Sequence, residues 1–175
     1  MHQYEVVIIG GGQAGIPLAF ALASARKRTA LIERKHLGGS CINFGCTPTK
    51  AAIASARVAH LARRAADFGL RIPAVEVDYA KVIGRARDIV ASFRSEIERR
   101  FAASKNPELF SGHATIASRD GQRFRILAGP ETILADQVVL DTGTRSAIPP
   151  IEGIADVDAG RATGRGSGRD PARPR

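Results

Sequence analysis

Along this chain the spacing of apolar positions switches between the period of a strand and that of a helix, and the switches divide it into elements. Tyr4-Glu5-Val6-Val7-Ile8-Ile9 is a short β-branched run, which predicts a strand buried on both faces of a parallel sheet. A glycine cluster, Gly10-Gly11-Gly12-Gln13-Ala14-Gly15, follows at once, and from Ile16 to Ala25 the apolar residues take a helical pattern. Thr29-Ala30-Leu31-Ile32-Glu33 supplies a second strand that ends in an acid. Lys50 to Ala66 reads as a helix dense in alanine, whose small side chains would let it pack closely against the sheet or a bound ligand. Asp67 to Val77, punctuated by Gly69 and Pro73, reads as a loop. Val82, Ala86, Ile89, Phe93, Ile97 and Phe101 then recur every three or four residues, predicting an amphipathic helix over Asp78 to Ser104. Its other face, with Arg85, Arg87, Arg94, Glu98 and Arg99, is expected to meet solvent. From Leu109 the pattern shortens to strands at Leu109-Phe110, His113 to Ala117, Gln122 to Leu127, Thr132 to Leu134 and Gln137 to Leu140. Asp120-Gly121 and Ala128-Gly129-Pro130-Glu131 separate them as turns. The order predicts an α/β domain: a parallel sheet with helices, plus a small β-meander.

Beyond Ile154 the pattern stops. Ala155 to Arg175 holds one branched aliphatic, Val157, and no aromatic, a composition that cannot bury enough surface to order itself. Residues 1–154 are therefore read as the folded part and 155–175 as a disordered Arg/Gly/Pro-rich tail. Arg, Gly, Ala and Pro have GC-rich codons, so the tail is hypothesised to be out of frame. A continuous reading frame at the locus would remove that idea.

Composition narrows the class. A length of 175 residues suits one domain, or one plus part of another, and 44% hydrophobic content is enough for a core. The formal charge of +9 raises a nucleic-acid partner, but the seven Phe and two Tyr do not interleave with the arginines as a stacking surface requires. A solvated basic surface is the simpler reading. The N-terminus carries Glu5 rather than a basic leader, and Ala14 to Ala25 is too short to span a bilayer. Two cysteines at a single site fit a reducing, cytoplasmic setting in which thiols are catalytic rather than structural.

Two motifs carry chemistry. Gly10, Gly12 and Gly15 fill the GxGxxG fingerprint between the strand and helix it requires: tight turn, approach of backbone N–H groups to a pyrophosphate, close helix packing. Glu33, 18 residues beyond Gly15, stands where a carboxylate accepts from an unphosphorylated ribose; the plainer alternative is an exposed acid at a strand end. The second motif is Gly38-Gly39-Ser40-Cys41-Ile42-Asn43-Phe44-Gly45-Cys46-Thr47-Pro48-Thr49-Lys50. In a regular helix the two Cys Cα atoms would lie roughly 8.6 Å apart, beyond the ~7 Å that a disulfide spans. Ile42 to Gly45 is therefore expected to be a distorted turn, with Thr47 as N-cap and Pro48 as the first helical residue. The helix end and Lys50 would then favour a thiolate. Two cysteines merely filling a core is the bland alternative, for which so many flanking glycines have no packing use.

This stretch resembles the active-site signature of the FAD-dependent pyridine nucleotide-disulfide oxidoreductases, the group of glutathione reductase, dihydrolipoamide dehydrogenase and mercuric reductase. Asn43 to Lys50 is most similar to mercuric reductase-like members. The resemblance covers Tyr4 to Ile154 and implies a Rossmann-like FAD-binding domain, incomplete relative to the family. It implies that Gly10, Gly12, Gly15 and Glu33 bind the ADP half of FAD and that Lys50 lies beside the flavin. Ala114, and more weakly His113, would touch the adenine, and Thr142-Gly143 would form a second FAD contact. Asp141 stands where the family usually has Ala, a costly place for a carboxylate unless it is hydrogen-bonded. Electrons would pass from NAD(P)H through FAD to a Cys41–Cys46 disulfide, and on to a disulfide or metal-ion substrate. Cys41 would exchange with substrate and Cys46 would face the flavin. Complete members are homodimers with a separate nicotinamide domain and a His-Glu pair in an interface domain. His2, His36, His60 and His113 do not follow that motif, so the polypeptide alone is expected to turn over poorly or not at all. The rival readings are a flavin-free nucleotide-binding or interaction module and a basic nucleic-acid binder.

Overall fold

A computed structural model of the chain describes residues 2–144, 147 and 149–153. The expectations for Ile154 and the tail lie outside the described residues. Six strands form one sheet: β1 (His2–Ile9), β2 (Thr29–Glu33), β3 (Glu108–Ser111), β4 (Ala114–Asp120), β5 (Arg123–Ala128) and β6 (Glu131–Leu140). Their order is β3-β2-β1-β6-β5-β4. The helices are α1 (Gly15–Ser24), α2 (Gly39–Asn43), α3 (Cys46–Arg63) and α4 (Tyr79–Ala102), with a 3₁₀ turn at Ala65–Phe68.

β1 pairs in parallel with β2, through Val6↔Thr29 to Ile9↔Ile32, and with β6, through His2↔Ile133 to Ile9↔Leu140. β3 lies parallel to β2, while β4, β5 and β6 are antiparallel neighbours. Because the parallel strands are covered on both sides, Val7, Ile8, Leu31 and Ile32 are all but inaccessible. One face packs Val6, Ile8 and Leu31 against Ile16 and Ala19 of α1 and Phe101 of α4. The other gathers Val7, Ile32 and Phe110 with Ile126 and Ile133 of the meander. In a flat sheet β3 and β5 would be roughly 19 Å apart. Here a Cβ on Gly112, just past β3, would lie 3.1 Å from the Gly129 nitrogen in the β5–β6 turn. The meander therefore curls over the parallel strands and closes that side of the core.

Several elements depart from the sequence reading. Thr132 to Leu140 is one strand rather than two: Asp136 faces solvent and accepts from Arg123 Nε at 2.8 Å, so a charge that reads as a break is tolerated on the outer face. α3 packs along α4 and α2 rather than on the sheet, and Ala51 is its one buried residue. α4 begins one residue after its cap, Asp78, whose carboxylate accepts from Lys81 N–H at 2.9 Å. Its apolar stripe is imperfect, because Phe93 is 52% exposed. Nor is its basic face simply solvated. Arg85 Nη1 donates to the Ala51 carbonyl at 3.1 Å, and Arg94 turns inward to Asn43. No helix of the described residues is long and apolar enough to cross a membrane.

Candidate active site

The parallel strands end together, and a cavity of about 660 Å³ opens beyond their C-terminal edge. Gly10, with φ of +114°, makes the turn out of β1; a Cβ there would lie 2.0 Å from the Asp141 carbonyl oxygen. Gly15 lets α1 start against that turn, since its Cβ would lie 2.2 Å from the Gly10 oxygen. Glu33 ends β2 at the cavity wall. Its Oε2 accepts from Gly11 N–H at 2.8 Å and its Oε1 from Lys35 N–H at 2.8 Å, so the carboxylate is held in place.

The cysteine stretch is locked onto the glycine loop. Gly38 N–H donates to the Gly11 carbonyl at 2.7 Å, Gln13 Nε2 donates to the Gly38 carbonyl at 3.2 Å, and a Cβ on Gly39 would come within 2.9 Å of Gly12 Cα. Cys41 lies in α2 and Cys46 opens α3. The expected distortion is thus confined to the break at Phe44-Gly45, with Gly45 at the N-cap in place of Thr47. Pro48 is the third helical residue rather than the first. That position is tolerated because N–H groups of the first turn have no partner within the helix.

Both cysteines are free thiols, Cys41 half-buried and Cys46 exposed, and their sulfurs are close enough to influence each other. Hydrogen bonding by the Cys46 side chain, then desolvation and the neighbouring sulfur's charge, hold the Cys41 thiol above its ordinary pKa. The Cys46 backbone N–H and the Lys50 charge oppose the shift without cancelling it. The expectation of a thiolate favoured at both positions is therefore corrected at Cys41. Cys46→Ala, which removes the leading cause, is expected to move the pH midpoint of Cys41 alkylation downward. An unchanged midpoint, followed by iodoacetamide rates and peptide mapping, would contradict this origin.

Cys41 shares the cavity wall with Gly10, Gly12, Glu33, Ala114 and Thr142-Gly143, and His113 is there too. Cys46, Lys50 and Gly15 do not line it. Sequence reasoning missed Asn43, which is 8% exposed. Its Nδ2 donates to the carbonyls of Leu37 and Gly39, each at 2.9 Å, and its Oδ1 accepts from Arg94 Nε at 3.1 Å and Nη2 at 2.6 Å. This one amide ties the turn before Cys41 to α4. Asn43→Ala would leave both carbonyls and the guanidinium without that partner, and is expected to cost about 2–3 kcal/mol in urea unfolding.

The sequence profile of the pyridine nucleotide-disulphide oxidoreductases matches residues 4–167. Dihydrolipoyl dehydrogenase of Acholeplasma laidlawii is 30% identical over 156 residues, covering 88% of this chain and 45% of that protein. Mercuric reductase of Bacillus cereus is 29% identical over 157 residues, covering 90% of this chain and 24% of its own length. A solved structure of the HOCl-induced flavoprotein disulfide reductase RclA of Escherichia coli superposes with a TM-score of 0.65 at 32% identity, covering 87% of this chain and 31% of that one. A copper(II) complex of a mutant of the same protein gives 0.68 at 28% identity, covering 90% and 32%. The chain thus spans less than half the length of each of these relatives. With a profile match across nearly its whole length and a shared fold, the chain belongs to the pyridine nucleotide-disulphide oxidoreductase family.

Proposed function

We propose that this chain binds FAD in the cavity beyond β1, β2 and β6 and carries a Cys41–Cys46 dithiol that cycles with its disulfide to reduce a disulfide or metal-ion substrate. The observation that carries the reading is the pair of neighbouring free thiols at the α2–α3 break, one of them on the wall of the cavity that the glycine loop lines. The residues present fit a dinucleotide. The volume lies in the range of cofactor sites, the Gly12 and Gly39 backbones leave no room for a side chain between them, and Glu33, held by Gly11 N–H on the cavity wall, supports a ribose contact. One group, the Asp141 carboxylate, runs against that fit. When bound, the flavin would supply a two-electron relay from NAD(P)H.

The chain's own part is thiol exchange. A Cys41 thiolate attacks one sulfur of a substrate disulfide, forming a mixed disulfide and releasing one thiolate, which takes up a proton. The Cys46 thiolate then attacks the Cys41 sulfur, releases the second product and leaves the Cys41–Cys46 disulfide. The exchange roles of the two thiols, and those of Ala114 and Thr142-Gly143 along the cofactor, are carried over from the resemblance. Cys46 and Lys50, which the resemblance sets beside the flavin, lie off the wall of this cavity, whereas Cys41 is on it. Partly exposed apolar side chains on α3 and α4, such as Ile53, Val58 and Phe93, support a covering partner such as the family's second subunit.

The test is a thiol count on the FAD-reconstituted chain. Two free thiols after reduction and none after mild oxidation, in a yellow protein bleached by dithionite, are expected. A colourless protein with two thiols under both conditions would favour a flavin-free nucleotide-binding module instead. The 175-residue polypeptide by itself is expected to show little NAD(P)H-driven turnover, because its sequence holds a single GxGxxG unit.

A further inference from the structure

Asp141 follows β6, and its carboxylate lies inside the glycine loop. Oδ2 accepts from Gly15 N–H at 2.7 Å, and a Cβ on Gly12 would lie 2.9 Å from the same oxygen. The backbone fixes it there, since Asp141 N–H donates to the Ile9 carbonyl at 2.8 Å. Among the described residues no lysine or arginine forms an ion pair with it. Gly15 opens the ten-residue α1. The carboxylate therefore uses one of the N–H groups left free at a helix start and sets a full negative charge at the helix's positive end. A pyrophosphate bound by this loop draws on the same field and the same kind of donor.

We propose that Asp141 is an internal anion that competes with the phosphates of a bound dinucleotide, so that this chain holds its flavin weakly and exchangeably. The proposal rests on the reading of the cavity as an FAD site. The competition is electrostatic, so it acts on ligands with phosphates and spares those without, and it fades as salt screens it.

The test compares the full chain with Asp141→Asn and Asp141→Ala, titrating FAD, ADP and adenosine by calorimetry at low and high salt. Asn retains an oxygen to accept from Gly15 N–H, so it keeps the comparison valid should the Ala variant fold poorly. Both variants are expected to bind FAD and ADP about tenfold more tightly or better, with adenosine unchanged and the gap narrowing at high salt. FAD binding by Asp141→Asn equal to or weaker than wild type would overturn the proposal and leave the FAD site standing. An equal gain for adenosine would also overturn it, because a charge effect needs a charged ligand. If no variant binds FAD under any condition, the reading of the cavity falls together with the inference.

Discussion

Gly10→Ala is expected to destabilise the chain by about 3 kcal/mol or more, enough to leave a domain of typical stability largely unfolded at modest urea. Two costs coincide at this residue. Its φ of +114° is one that an L side chain rarely adopts, and the added methyl would sit 2.0 Å from the Asp141 carbonyl oxygen, which belongs to backbone and cannot rotate away. Relief would require β1 and β6 to separate just where Asp141 N–H bonds to Ile9. Gly121→Ala is the control. Its φ is +62°, with no atom within 4 Å of an added Cβ, so only the conformational cost of about 1–2 kcal/mol applies. Urea midpoints for the two variants should differ clearly. Similar midpoints would mean that the β1–loop–β6 junction gives way more easily than its contacts imply.

The fold was legible wherever burial follows a period. β2 occupies the predicted Thr29 to Glu33, and α4 ends within two residues of its predicted limits, because strands sealed on both faces and a long amphipathic helix write their burial directly into the order of apolar residues. The start of α3 was not legible in the same way. Thr47 and Pro48 form a good cap and first turn on their own, yet the preceding helix α2 and the Gly38–Gly11 bond bring the chain round early enough for Cys46 to start the helix. Local preference there was overridden by a tertiary anchor.

The site divides along the same line. That Gly10, Gly12 and Glu33 would stand together at one cavity was readable, because the fingerprint of the proposed phosphate loop dictates residue type and spacing. Arg94 was not, because its partner Asn43 lies 51 residues away and periodicity reports the face of a helix, never the one polar side chain that turns across it. Asp141 shows the limit most clearly. The sequence marks a carboxylate at the end of a buried strand as needing a partner, but only the fold identifies that partner as Gly15 N–H, 126 residues earlier.

Cys41→Ser and Cys46→Ser are each expected to lower multiple-turnover reduction, in any assembly in which the chain is active, by about three orders of magnitude or more, since neither thiol completes the exchange without the other. A single-turnover experiment separates their roles. Given one equivalent of an aryl disulfide, the reduced wild-type chain should release two aryl thiols and retain none, because Cys46 displaces the second from Cys41 as the protein disulfide closes. Cys46→Ser should stop at one release and carry one aryl group on Cys41, visible as a mass increment. In the wild-type chain the half-buried position of Cys41 and its raised pKa slow the first attack at neutral pH, so its rate should rise with pH through and beyond the ordinary thiol range. Two releases per chain from Cys46→Ser would mean that the pair does not act as a dithiol. Rapid, complete labelling of Cys46 in Cys41→Ser, with slow labelling of Cys41 in its counterpart, would instead assign the substrate-facing role to the exposed sulfur at the start of α3.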